Sequence, residues 1–217
     1  MKKFIILIML FLLSACSPVN KESSDSINNL IPSKINPEGL DVIDSSITTR
    51  NLDDYLLRDD VFYCDLRYYS WVLKDGYIPG FTFIPYYDFM ATRSGTNAYF
   101  KQIKIEGLNE GEVGSFSPIY EESITMLKRL FPQDKAIFLI SQSGLESYYM
   151  SSLLVQYGYD ASKIYNVGGV TNPAGMNPPY KKIGKNFING NPSIPTDVYG
   201  EMIKVDFSKL DITLIIE

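Results

Sequence analysis

Short apolar runs, each about the length of a strand, recur through the middle of the chain, and between them apolar residues return at helical spacing. VFYCDL (61–66) and KAIFLI (135–140) are apolar nearly throughout and bounded by turn residues, which predicts strands covered on both faces. FTFIP (81–85), ended by Pro85, and SKIYNVGG (162–169) predict two more. YYSWVLKDG (68–76) predicts one or two helical turns closed by Gly76. ESYYMSSLLVQYG (146–158) predicts a longer helix stopped at Gly158. IYEESITMLKRLF (119–131) predicts a helix with Ile119, Ser123, Met126, Leu127 and Leu130 on one face and Pro132 beyond its end. Ser117 is the expected N-cap of that helix, Pro118 its first position, and Glu121 and Glu122 suit its first turn.

Two stretches pattern less cleanly. SITTRNLDDYLLRDD (46–60) predicts a short strand and then a short helix capped by Thr49 or Asn51. Between Tyr86 and Ser117 the periodicity loosens around glycines 95, 107, 111 and 114, with AYFKQIKIEG (98–107) as a strand in a small hairpin. Apolar strands alternating with helices predict one α/β domain with an open, mostly parallel sheet flanked by helices. Residues 171–217 are rich in Asn, Pro and Gly and end in the strand-like DITLIIE.

The N-terminus follows a different logic. Lys2 and Lys3 precede ten apolar residues, Phe4 to Leu13, and then Leu13-Ser14-Ala15-Cys16. Ten residues fall short of the about 20 that a helix needs to span a bilayer, but they suit the core of an export signal. With a cysteine at the cut, this start resembles a bacterial lipoprotein signal peptide with its lipobox. The resemblance implies removal of residues 1–15, lipid on Cys16, and a folded part on the extracytoplasmic face of a membrane. More than one acyl chain is needed for stable anchoring. The Ser-, Asn- and Asp-rich stretch 16–46 then predicts a flexible tether, with too few apolar residues to offset ordering entropy.

Composition narrows the function classes. Removing two lysines takes the formal charge from −5 to −7, an acidic balance that disfavours nucleic acid as a partner. With Cys16 assigned to lipid, Cys64 is left alone and has no partner for a disulfide. In the middle of a predicted strand it is expected to be a small buried hydrophobe, with a reactive thiol as the alternative. The chain contains no histidine, which rules out a Ser-His-Asp triad, and it offers no His/Cys cluster of the kind zinc takes. Neither G-x-S-x-G nor a G-x-x-x-x-G-K-[ST] phosphate loop occurs, and neither a metal nor a cofactor is expected.

Several fragments then line up with one family. CDLR (64–67) supplies Asp65 and Arg67 at a strand end. DGYIPGFTFIP (75–85) resembles the Gly-His-Ile-Pro-Gly-Ala signature of rhodanese-like domains, with Gly76, Ile78, Pro79 and Gly80 matching but Tyr77 for histidine and Phe81 for alanine. LISQSGLES (139–147) resembles that family's active-site strand and loop, Cys-x-x-Gly-x-Arg-Ser, through Gly144 and Ser147. GYDASKIYNVGGV (158–170) resembles the stretch that closes the domain, through Gly168 and Gly169. The resemblance covers roughly 45–170 and implies a rhodanese-like domain over 47–170, with an insertion at about 91–117 and a C-terminal extension over 171–217.

The same resemblance marks two departures. Ser141 stands where the family keeps its sulfur-carrying cysteine, and Glu146 where active members commonly hold the anionic donor with arginine. A serine hydroxyl cannot carry a persulfide. A carboxylate would repel an anionic donor by about 4 kcal/mol at 4 Å and an effective dielectric near 20. The loop Ser141-Gln142-Ser143-Gly144-Leu145-Glu146 is therefore expected to be catalytically degenerate. Its hydroxyls, amide and carboxylate suit a cation, an amine or a donor-rich protein surface, with Tyr68-Tyr69-Trp71 and Tyr86-Tyr87-Phe89 as candidate aromatic walls or packing. The expected function is a binding or interaction module for an unidentified protein or small molecule; the alternative is a sulfurtransferase that uses a non-standard thiol.

Overall fold

The computed structural model describes residues 30–91, 98–103 and 114–189. In chain order the regular elements are β1 (Val61–Asp65), α1 (Tyr69–Asp75), β2 (Thr82–Phe83), α2 (Tyr86–Phe89), β3 (Met90–Ala91), β4 (Phe100–Ile103), β5 (Ser115–Pro118), α3 (Ser123–Leu130), β6 (Ala136–Ser141), α4 (Leu145–Gln156), β7 (Ile164–Gly169) and α5 (Tyr180–Ile183). Short 3-10 turns cover Val42–Asp44, Leu52–Tyr55 and Ala161–Lys163. The fold is α/β: a four-stranded sheet in the order β2-β1-β6-β7, parallel at every pairing, flanked by helices. A three-stranded sheet, β3-β4-β5, stands beside it, with β4 and β5 antiparallel.

The apolar runs become strands because both faces of the main sheet are covered. Successive side chains on a strand point to opposite faces. Val61, Tyr63, Phe138, Ile140, Tyr165 and Val167 therefore join one core layer, with Ile47, Leu52, Ile78, Phe81 and Tyr180 over them. Cys64, Ile137, Leu139 and Ile164 join the other, against Met126 and Leu127 of α3 and Met150, Leu153 and Leu154 of α4. Each fully buried side chain of this size contributes about 1.5–3 kcal/mol. β7 carries one more residue than β6 where the register shifts beside Leu139 and Ile140, so Ser141 ends opposite Gly169.

Several expectations are corrected. Residues 31–46, expected to belong to the tether, pack on the domain. Val42 is buried, the Tyr165 hydroxyl donates to Pro32 O at 3.1 Å, and Lys34 Nζ donates to Ala161 O at 2.9 Å and also to Gly39 O. The polar residues that make this stretch read as linker serve instead as turn formers: Asp41 and Asp44 close a capping box around the first 3-10 turn. The strand expected near residues 46–50 does not form, and the helix after it is the 3-10 turn Leu52–Tyr55. Asn51 makes no side-chain cap to that turn; its Oδ1 accepts from Thr48 N at 2.8 Å.

Ser117 and Pro118 also fall elsewhere than expected. They lie in β5, paired with Lys101 and Phe100 of β4, and α3 starts only at Ser123. The hairpin partner outcompetes the cap, and Pro118 is tolerated at the strand's end, where a missing N–H costs little. The face expected of α3 is nonetheless the buried one, with Ser123, Met126 and Leu127 inward. Residues 1–29, hence the signal peptide and Cys16, lie outside the described residues, as do 92–97, 104–113 and the terminal DITLIIE. Among the described residues no helix is long and apolar enough to cross a membrane.

Candidate functional site

In open α/β sheets, ligands bind beyond the carboxyl ends of the strands. Here those ends carry Asp65 as the last residue of β1 with Arg67 just beyond it, the loop 141–146 that starts on the last residue of β6, and Gly168-Gly169 closing β7. The fold thus brings together three of the fragments singled out in the sequence.

Asp65 and Arg67 form a buried ion pair. Both side chains are wholly covered, Arg67 Nη2 lies 2.6 Å from Asp65 Oδ2, and Nε donates to both carboxylate oxygens at 3.0 Å. Nη2 also donates to Gly76 O at 2.9 Å, and Nη1 is buried with no hydrogen-bond partner. The pair ties the end of β1 to the glycine that closes α1. Gly76 is needed there: its φ is +99°, and a Cβ would meet Ile188 O at 2.2 Å. Tyr77 and Ile188 exchange backbone hydrogen bonds at 2.9 Å across the same contact.

The loop after β6 is tightly held. Ser141 is fully buried, and its Oγ accepts from Gly144 N at 2.9 Å, so the hydroxyl fastens the loop from inside. Gly144 sits at φ +83° as the N-cap of α4, and a Cβ there would come within 3.0 Å of Ala174 Cβ. Asn166 Nδ2 donates to Gly144 O at 2.9 Å, linking β7 to the loop. Gly169 has no room for a side chain: a Cβ would lie 2.0 Å from Asn172 O and 3.0 Å from Gln142 O. Val170 N donates to Ser141 O at 2.8 Å and Asn172 N to Gln142 O at 3.0 Å. The segment after β7 therefore closes one side of the loop. Nothing in the Asn/Pro/Gly composition of 171–177 points to that role.

On its other side the loop meets aromatic rings. Glu146, in the first turn of α4, is 9 % exposed. Its carboxylate acts on the neighbouring Tyr87 hydroxyl, while Oε2 is buried without a partner. Gln142 Oε1 and Ser147 Oγ are likewise buried and unpartnered. Such groups normally find partners, since leaving one unpaired costs about 1–3 kcal/mol. Ser143 is half-buried and Leu145 is 52 % exposed.

Tyr68 and Tyr87 stack at 4.8 Å, Trp71 meets Tyr68 edge-on at 4.9 Å, and Tyr86 stands at 81° to Tyr87. Tyr149, one helical turn after Glu146, lies 6.2 Å from Tyr86. Burial first, and then the neighbouring negative groups including Glu146, push the hydroxyls of Tyr68, Tyr86 and Tyr87 above their ordinary value. Of the two sequence clusters, Tyr68, Tyr86 and Tyr87 lie near enough for Glu146 to act on them, and Trp71 packs edge-on against Tyr68. Phe89 is buried in the core against Phe100 and takes no part. Tyr149 was not among the expected residues, although its i,i+3 spacing from Glu146 on a helix signals that the two share a face.

The other thiol candidate points inward. Cys64 is fully buried on the α4 side of the sheet, and burial, with Asp65 adding to it, raises its thiol well above the ordinary value. Among the described residues no group of three or more His, Cys, Asp or Glu side chains is placed to hold a metal ion. No family model matches this chain, and neither the curated proteins nor the solved structures give a match to it.

Proposed function

We propose that this protein is a bacterial lipoprotein, lipidated at Cys16 and held at the extracytoplasmic face of a membrane, whose rhodanese-like domain is a non-catalytic binding module. The observation that carries the reading is the paired change in the loop. Ser141 takes the sulfur carrier's place with its hydroxyl spent on Gly144 N, and Glu146 brings a mostly buried carboxylate to where an anionic donor would sit. A strand-loop-helix with glycine at its turn supports the likeness to rhodanese-like domains, and so do the Asp65–Arg67 pair and the Gly168-Gly169 close approach. The partner is a protein or small molecule presented at the cell envelope.

Sulfur transfer is tested with thiosulfate and cyanide on the purified protein. No turnover is expected; turnover that Cys64→Ser abolishes would overturn the non-catalytic reading. The anchor is tested by fractionation: Cys16→Ser moves the protein from the membrane to the soluble fraction, and retention of the variant on membranes would overturn the lipidation.

A further inference from the structure

Glu146 presents a charge in an unusual setting. Glu146 is nine-tenths buried, one carboxylate oxygen has no hydrogen-bond partner, and its charge acts on the Tyr68, Tyr86 and Tyr87 hydroxyls. Removing a carboxylate from water is costly unless a counter-charge or donors replace the water. Oε2 is buried with no hydrogen-bond donor to answer it.

The rings come from three elements. Tyr68 and Trp71 lie at the start of α1, Tyr86 and Tyr87 on α2, and Tyr149 on α4. Tyr68, Trp71, Tyr87 and Tyr149 are only half-buried, so a rim of aromatic surface reaches solvent beside the carboxylate. The ring planes differ in direction: Tyr68 and Tyr87 are parallel within 8°, Tyr86 is turned 81° from Tyr87, and Tyr149 is within 28° of Tyr86. Faces and edges at nearly right angles bound a corner rather than a flat stack. Asp88 adds a second negative charge that acts on Tyr68.

The geometry points to a binding site for an organic ammonium group, seated against the Tyr68, Trp71, Tyr87 and Tyr149 rim with its charge toward Glu146. The negative faces of aromatic rings attract cations, and an alkylated nitrogen spreads its charge over carbons that pack on those faces. A hard metal cation is a poorer fit. Calcium takes about 6–8 oxygen ligands, and among the described residues no group of three or more His, Cys, Asp or Glu side chains is placed to hold a metal ion. The inference rests on the reading of the loop as a binding module and specifies what it takes.

The chain's one tryptophan, Trp71, belongs to the rim, so its fluorescence reports on the site. The full chain in detergent is titrated with tetramethylammonium chloride, with potassium chloride at matched ionic strength and tert-butanol as a neutral isostere. Melting temperature is followed in parallel. The expected result is a saturable change in Trp71 emission or a saturable rise in melting temperature with tetramethylammonium alone. Glu146→Gln raises the half-saturation concentration about tenfold and Tyr87→Leu by about the same factor. Far-UV circular dichroism confirms that both variants are folded.

Absence of saturation by both readouts, an equal response to tert-butanol, or an unchanged midpoint in folded Glu146→Gln would overturn the ammonium site. That failure with no sulfur-transfer turnover removes only the ligand class, whereas turnover removes the binding-module reading itself.

Discussion

Arg67 carries a full charge into a fully covered position, and it persists there because Asp65 and Gly76 O accept from it. A buried pair adds little net stability over an apolar replacement of both partners, but breaking one side strands the other charge. Arg67→Met is therefore expected to destabilise the fold by about 3–5 kcal/mol, measured by urea denaturation, with Asp65 left uncompensated. Cys64 leads to the opposite kind of expectation. Its thiol is buried and held protonated, so with Cys16 replaced by serine an aromatic disulfide reagent should react only after denaturant is added. Rapid reaction of the native protein would show that the β1 strand opens readily.

Asp53 links residue chemistry to pH. Burial opposes its ionisation, but hydrogen bonds from Lys185 N, the Tyr180 hydroxyl and Asn186 outweigh it and hold the carboxyl below its usual range. The unfolded chain then binds more protons on the acid side, so this contribution is complete above the ordinary carboxylate value near 3.8 and fades as pH falls through the lowered one. Asp53→Asn should flatten the acid limb of a stability–pH profile. An unaltered limb would mean that other carboxylates set it.

At the scale of elements, the loop after β6 depends on backbone conformations that only glycine adopts cheaply. Gly144→Ala places a Cβ at φ +83° and 3.0 Å from Ala174, and should cost about 1–3 kcal/mol in thermal or chemical denaturation. Apolar runs made β1, β6 and β7 legible, because a strand covered on both faces has no polar side to hide its identity. Ser117-Pro118 misleads for a physical reason: cap and strand preferences are both local, and the choice between them was made by pairing with Lys101 and Phe100 across the hairpin. The role of 171–189 was illegible in the same way. A stretch of Asn, Pro and Gly reads as loop, yet it seats Tyr180 in the core, holds Asp53 and presses Ala174 against Gly144.

For the molecule as a whole, the described residues from Ile31 onward belong to one compact unit. A chain trimmed to begin at residue 47 loses the buried Val42 and the Lys34 and Pro32 contacts to Ala161 and Tyr165. It should melt below a chain beginning at residue 31, and equal melting temperatures would return 31–46 to the tether.

What the sequence determined by itself was the α/β class and the placement of the main strands and the longest helix. All of these are local, set by runs, spacings and single residue types. Only the tertiary structure decided that residues 31–46 pack on the domain, that 171–177 closes one side of the loop after β6, and that rings from three elements gather around Glu146. Each depends on contacts between residues far apart in the chain, and no local pattern encodes which distant partner a buried polar group will meet.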